Sequence, residues 1–163
     1  VKSRVRLFLL AAVLLVCFGI SFLNGQSAEK PDQAAIEKAI LDTYAEITKA
    51  AESFDWETAF GYVLENDKGC LINDGKLILT RQEALDDYRN NSRNGGRIVY
   101  TMDKKYVTVL SPDTAVLATE GRYEVTTADG RTFASPMAQT VVFVRKENQW
   151  KVFHSHTSLP ANP

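Results

Sequence analysis

Gln149-Trp150-Lys151-Val152-Phe153-His154-Ser155-His156-Thr157-Ser158, closed by Leu159-Pro160, is the stretch on which the fold of this chain turns. Side chains alternate between faces along a strand. Trp150, Val152, His154 and His156 are therefore expected on one surface, and Lys151, Phe153, Ser155 and Thr157 on the other. Both sets contain large apolar groups, so neither face reads as fully solvated. The first set also holds both histidines of the chain, which marks that face as the floor of a pocket.

Three more long strands precede this one. Residues 97–110, 114–127 and 131–146 are rich in β-branched and aromatic side chains and are separated by Ser111-Pro112-Asp113, Ala128-Asp129-Gly130 and, before the last strand, Glu147-Asn148. Turns this short allow only an antiparallel meander. Pro136 cannot donate to a ladder, so a bulge or an unpaired edge is expected around it. Upstream, Ile36, Ile40, Tyr44, Ile47, Ala51 and Phe54 recur at intervals of three and four, the stripe of a long helix, with Asp32 as its N-cap. A shorter helix is expected from Trp56 to Leu64, entered through Asp55. Cys70-Leu71-Ile72 and Leu77-Ile78-Leu79 flank Asn73-Asp74-Gly75-Lys76 and read as a hairpin. Thr80 with Glu83 forms a capping box that opens a third helix to about Asn91, with Ala84, Leu85 and Tyr88 on its inner edge. Helices first and long strands afterwards give an α+β layout, with the helices on one face of a curved sheet.

This order of elements, together with Trp150-Lys151-Val152-Phe153-His154-Ser155-His156-Thr157-Ser158-Leu159-Pro160, resembles the nuclear transport factor 2-like superfamily. Within it, the chain is similar to the SnoaL-like domains and to the association domain of calcium/calmodulin-dependent kinase II. The Asp55-Trp56-Glu57 helix join and the Asp113-Thr114-Ala115 strand start add weaker support, and the likeness covers about residues 34–160. It implies a cone-shaped α+β fold, in which a bent, mainly antiparallel sheet wraps the long helix and leaves an open pocket. It also implies a homodimer formed through the outer sheet face. Such a fold hosts enzymes, binders and scaffolds alike, so it does not decide the function. In the related ketosteroid isomerases a carboxylate base works beside a second, neutral acid. The resemblance places the base near Asp74 and the second acid near Ala138 or Gln139, where this chain has no carboxylate. The pocket arginines of the kinase association domain correspond to Gly121 and Val141, so they are not carried over either.

If the histidine face is concave, the next strand contributes Gln139, Val141 and Phe143, and the one beyond it Thr119, Gly121 and Tyr123. The expected ligand pocket is Tyr44, Trp56, Thr119, Tyr123, Gln139, His154 and His156. Tyr44 and Trp56 read as core residues more readily than as ligand contacts. Several roles are open to the histidines: polar core groups satisfied by Tyr or Gln, a pair on a dimer face, ligand contacts, or proton carriers. Metal binding needs a third ligand from elsewhere, so no metal and no cofactor is expected. The catalytic candidates are His154, His156 and Asp74. Glu120 and Arg122 alternate with the pocket positions and belong to the opposite, dimer-facing side. There is no phosphate-cradling Gly motif, no Gly-x-Ser-x-Gly elbow and no His-Glu-x-x-His.

The chain has 163 residues and a formal net charge of −1, which suits one domain with a real core. Lys2, Arg4 and Arg6 precede an uncharged run from Leu7 to Leu23, and Gly25 and Ser27 supply the small residues of a cleavage site. Residues 1–27 are therefore expected to be an export signal, or an uncleaved anchor that would hold the domain at a membrane, and residues 28–33 a short linker. The product is then periplasmic or extracellular. Cys17 invites a lipoprotein reading, but Val16 before it is larger than such a site takes. The chain beyond the signal carries no Lys/Arg stripe, so no nucleic-acid partner is expected. Cys70 is the single cysteine of that part and reads as a buried, inert thiol. These features point to an exported, dimeric module that binds a small, partly apolar molecule. An acid–base isomerase, cyclase or dehydratase using a pocket histidine is the alternative, and an oligomerisation module without ligand the third reading.

Overall fold

The computed structural model describes residues 32–93 and 95–160. The expected signal, with Cys17, lies outside the described residues, as does all of the expected linker before Asp32. Among the described residues no helix is long and apolar enough to cross a membrane.

Asp32 accepts the Ala35 N–H at 3.1 Å and starts α1 (Gln33–Glu52). The stripe read from the sequence is its buried face, with Ile36, Ile40, Tyr44 and Ala51 all in the core. Phe54 does not extend that helix. It sits past the C-cap with φ 56°, a left-handed conformation that turns the chain into α2 (Trp56–Gly61). Asp55 caps α2 by accepting the Thr58 N–H at 3.1 Å. This helix ends before Leu64 because the last strand claims the backbone there. Val152 donates its N–H to the Tyr62 carbonyl at 2.8 Å, and the Leu64 N–H donates to the Val152 carbonyl at 2.8 Å.

β1 (Leu71–Asn73) and β2 (Lys76–Ile78) form the expected hairpin. Asp74 at φ 49° and Gly75 at φ 77° make its two-residue turn, with both centres in the left-handed region that type I′ requires. Thr80 caps α3 (Arg81–Asn91) as expected, with the return bond from Glu83 reaching one residue further back than in a standard capping box. Thr80 accepts the Glu83 N–H at 3.1 Å, while the Glu83 carboxylate accepts the Leu79 N–H at 3.1 Å. An ion pair between Glu57 and Arg89 joins α2 to α3.

β3 (Gly95–Ser111), β4 (Thr114–Thr127), β5 (Thr132–Lys146) and β6 (Gln149–Ser158) form the antiparallel meander. With the hairpin they make one six-stranded sheet in the order β2-β1-β6-β5-β4-β3. The link from β1 to β6 is parallel, which turn lengths alone do not reveal. Pro136 stays in register opposite Arg122, with no bulge. β6 ends at Ser158 opposite Ala138, so Pro136 lies where β5 has already lost its second neighbour and needs no N–H.

The core lies between α1 and one face of the sheet, where Ile40, Leu117 and Phe143 are fully buried. β4 and β5 pair without interruption, so Ala115, Leu117, Thr119, Gly121 and Tyr123 share that inner face with Val141, Gln139 and Met137. β3 is less regular, with register shifts at 95/97, 102/104 and 109/111. At the middle shift the β3 backbone presses against Gly121, where an added Cβ would stand 2.0 Å from the Thr101 carbonyl oxygen. No side chain fits there, so the arginine absent from this position is also sterically excluded.

Candidate functional site

A cavity of about 300 Å³ opens between α1, α2, α3 and the inner face of the sheet. Its helical wall is aromatic. Trp56 and Tyr88 meet edge-to-face at 5.2 Å between ring centroids, and Phe60 and Tyr88 at 5.3 Å. The Trp56 indole N–H donates to Ser92 Oγ at 2.7 Å, which holds the ring upright against the end of α3. The sheet wall carries Tyr100 and Tyr123, direct partners across β3 and β4, with Met137 and Val141 beside them.

Polar groups enter along one line. The Tyr44 hydroxyl donates to Gln139 Oε1 at 3.0 Å, and Gln139 Nε2 donates to Thr157 Oγ1 at 3.1 Å. Asn73, Thr48 and Ser155 complete the polar lining. Burial pushes the Tyr44 phenol up to about 12, against the opposing pull of the Thr48 and Thr119 hydroxyls. Burial likewise drives Tyr88 up to about 12, helped by the nearby Asp87 carboxylate. Tyr100 is also raised, by burial and then by Tyr88, Tyr44 and Tyr123 around it. All three are neutral hydrogen-bonding groups at ordinary pH.

Of the residues expected at the pocket, Tyr44, Trp56, Tyr123 and Gln139 line the cavity. Thr119 is buried on the same sheet face, but its hydroxyl donates to the Lys104 carbonyl at 2.8 Å and does not reach the cavity wall. His154 and His156 are on the wrong side for the expected floor. Phe143 pairs with Val152 and Val142 with His154, which leaves Phe153 without a partner as a bulge. A bulge moves every later side chain to the opposite face. Trp150 and Val152 point inward as expected, but beyond Phe153 the inward residues are Ser155, Thr157 and Leu159. His154 Nδ1 lies 3.1 Å from the Gly69 carbonyl, and His156 borders a shallow depression on the outer face beside Lys104, Tyr106 and Glu120.

The bulge against β5 falls where β6 changes its neighbour on the other edge: before it, β6 is bonded to the Tyr62–Leu64 segment; after it, Ser155 pairs with Leu71 of β1. Asp74 is an exposed turn residue and lines nothing, so the position corresponding to a carboxylate base is occupied by turn chemistry. Among the described residues no three metal-ligating side chains converge. Cys70 is fully buried, and burial raises its thiol to about 11, above the range of a reactive cysteine.

Sequence reasoning passed over Phe60, Tyr100, Met137, Ser155 and Thr157 as pocket residues. Met137 follows from the alternation that found Gln139. Tyr100 is masked by the shift at 102/104, since counting back from Val107 assigns it to the outer face. Ser155 and Thr157 require the bulge to be known.

The match to known families covers residues 40–162, with the SnoaL-like domain. No curated protein sequence matches the chain. Among solved structures, a candidate dehydratase of the nuclear transport factor 2-like family from Streptomyces avermitilis is 21% identical with a TM-score of 0.69, covering 79% of this chain and 99% of that one. A nuclear transport factor 2-like superfamily protein from Salmonella enterica is 13% identical at TM-score 0.71, covering 79% and 94%. A candidate calcium/calmodulin-dependent protein kinase II association domain from Xanthomonas campestris is 16% identical at TM-score 0.64, covering 83% and 95%. At such identities the likeness establishes a shared fold and leaves activity open. The matched span makes this chain a member of the SnoaL-like family, with the α+β fold of the nuclear transport factor 2-like proteins.

Proposed function

We propose that the domain is a cone-shaped binding module that holds a small, partly apolar molecule in the cavity between α1 and the sheet. One observation carries the reading. Among the described residues the cavity lining contains no carboxylate, imidazole, ammonium or guanidinium. General acid–base chemistry near neutrality needs a group that exchanges protons there. The lining offers only phenols, and three of them are held above their ordinary range. A concave, aromatic surface with a few convergent neutral polar groups suits retention better than turnover.

The alternative, a dehydratase, isomerase or cyclase, draws support from the likeness to a candidate dehydratase from Streptomyces avermitilis and to a hexachlorocyclohexane dehydrochlorinase. Its proton carrier would not be His154 or His156, which face away from the cavity, nor Asp74 in its exposed turn. The decisive experiment is a thermal-shift screen of metabolites on the full chain, followed by product analysis of every stabilising compound. Bound ligand stabilises by the logarithm of its concentration over its dissociation constant. Stabilisation with unchanged compound supports binding; chemical conversion abolished by cavity substitutions selects the enzyme. No stabilisation by any compound leaves the third reading, an oligomerisation module.

In this proposal the domain is exported by its N-terminal segment and pairs as a homodimer through the outer sheet face. That face carries Tyr106 at 66% and Leu110 at 62% exposure, with the Lys104–Glu120 ion pair between strands. Sedimentation of the wild type against a Tyr106→Glu variant tests the pairing, and a monomeric wild type ends it. Cell fractionation tests export; retention of the full chain in the cytoplasm ends that part.

A further inference from the structure

We propose that the cavity selects uncharged, oxygen-bearing aromatic molecules of about the size of one fused bicyclic ring, and rejects their ionised counterparts. The inference rests on the reading of the cavity as a binding site and adds the chemical class of the occupant.

Size comes from the volume. About 300 Å³ holds on the order of ten water molecules, hence roughly ten to fifteen non-hydrogen atoms. Aromatic character comes from the walls, because Trp56, Phe60 and Tyr88 on one side face Tyr100 and Tyr123 on the other side of a single cavity. A flat π-system meets rings in the offset or edge arrangements that aromatic pairs prefer.

The need for oxygen comes from unused hydrogen-bonding capacity. Tyr44, Gln139 and Thr157 largely satisfy one another. Among the described residues no buried side-chain nitrogen or oxygen lacks a partner. The hydroxyls of Tyr88, Tyr100 and Tyr123 bond to no described residue, and all three residues line the cavity. A guest with a carbonyl or hydroxyl oxygen can use these donors, whereas a plain hydrocarbon would leave them dry and unpaired.

Charge is excluded from both signs. An anion entering the cavity loses its water and finds no cation on the lining, and an unpaired buried charge is strongly disfavoured. A cation could be held by ring faces. Here, however, Trp56, Phe60 and Tyr88 are packed edge-to-face at interplanar angles of 66° and 68°, so they partly cover one another's faces, and no carboxylate completes a cage. The nearby Glu52 carboxylate accepts the Tyr100 backbone N–H at 2.8 Å and lies outside the lining.

The test uses three probes of one shape on the full chain at pH 7: 2-naphthol, 2-naphthoate and 2-naphthylmethylammonium. Equilibrium dialysis measures affinity, and quenching of Trp56 in a Trp150→Phe background reports occupancy of this cavity. The expected result is saturable binding of naphthol, with both ions weaker by at least about a hundredfold. An Asn73→Lys variant, which adds an ammonium at the cavity wall, should narrow the gap for naphthoate by about tenfold or more. If naphthoate or the ammonium binds the wild type as tightly as naphthol, charge selection is wrong while the binding site stands. If none of the three binds and the metabolite screen is also silent, the binding reading itself falls.

Discussion

The phenol of Tyr44 and the amide oxygen of Gln139 are hydrogen-bonded at 3.0 Å across the gap between α1 and β5, at the head of a relay that ends on Thr157. Each partner is buried or half-buried, so truncating one strands the other. Gln139→Leu should cost about 1–3 kcal/mol by leaving Tyr44 and Thr157 without their partner. Tyr44→Phe, which removes only the hydroxyl, should cost about 1 kcal/mol. In chemical denaturation the double variant should lose less than the sum, by at least about 0.5 kcal/mol. Strict additivity would mean the contact contributes nothing.

The bulge at Phe153 separates two sets of residues whose substitutions should behave differently. Thr157 Oγ1 accepts from Gln139 while its own O–H donates to no described residue, so Thr157→Val, which keeps the shape, should lower cavity affinity for a neutral oxygenated guest about fivefold to tenfold. His156→Gln lies on the outer face and should change it less than twofold. Dialysis of both variants against 2-naphthol decides the matter. A larger loss from His156→Gln than from Thr157→Val would contradict the strand orientation.

Gly121 and Gly61 form a matched pair for stability. A Cβ at Gly121 would meet the Thr101 carbonyl oxygen at 2.0 Å and Met102 Cα at 2.8 Å, both backbone atoms with little freedom to yield. Gly121→Ala should destabilise by at least about 2 kcal/mol. A Cβ at Gly61, the last residue of α2, meets nothing within 4 Å. Gly61→Ala should stabilise by roughly 0.5–1 kcal/mol. Thermal melts of the two variants read both signs at once.

Alkaline pH should unfold the domain cooperatively. Tyr44 and Tyr88 sit at about 12 in the folded state against an ordinary value of 10.0. Between these values the unfolded chain binds fewer protons than the folded one, so stability falls as pH rises. Their contribution is complete below pH 10 and is lost on passing through about 12. Denaturant midpoints recorded up to that range should drop together with a step in tyrosinate absorbance. Tyr88→Phe should shallow the decline. A flat midpoint through this window would show these phenols to be solvated.

Much of the architecture is carried by short-range chemistry and could be read directly. Asp32, Asp55 and Thr80 each cap the helix expected of them, and Asp74-Gly75 makes the expected turn. The alternation along β4 and β5 correctly placed Tyr123 and Gln139, because those two strands pair without a slip. Tyr44 followed from a helical stripe that nothing interrupts.

Residue order alone therefore settles the family, the sequence of helices and strands, the caps, and the inner face of every strand that keeps its register. Tertiary structure alone decides the face of the last strand beyond Phe153 and of β3 before Lys104. In both places one strand carries an extra residue against its partner, β6 against β5 and the edge strand β3 against β4, and a period of two cannot survive that insertion. The histidines, the most conspicuous polar groups in the last strand, are turned outward by it, and the modest Ser155 and Thr157 are turned in.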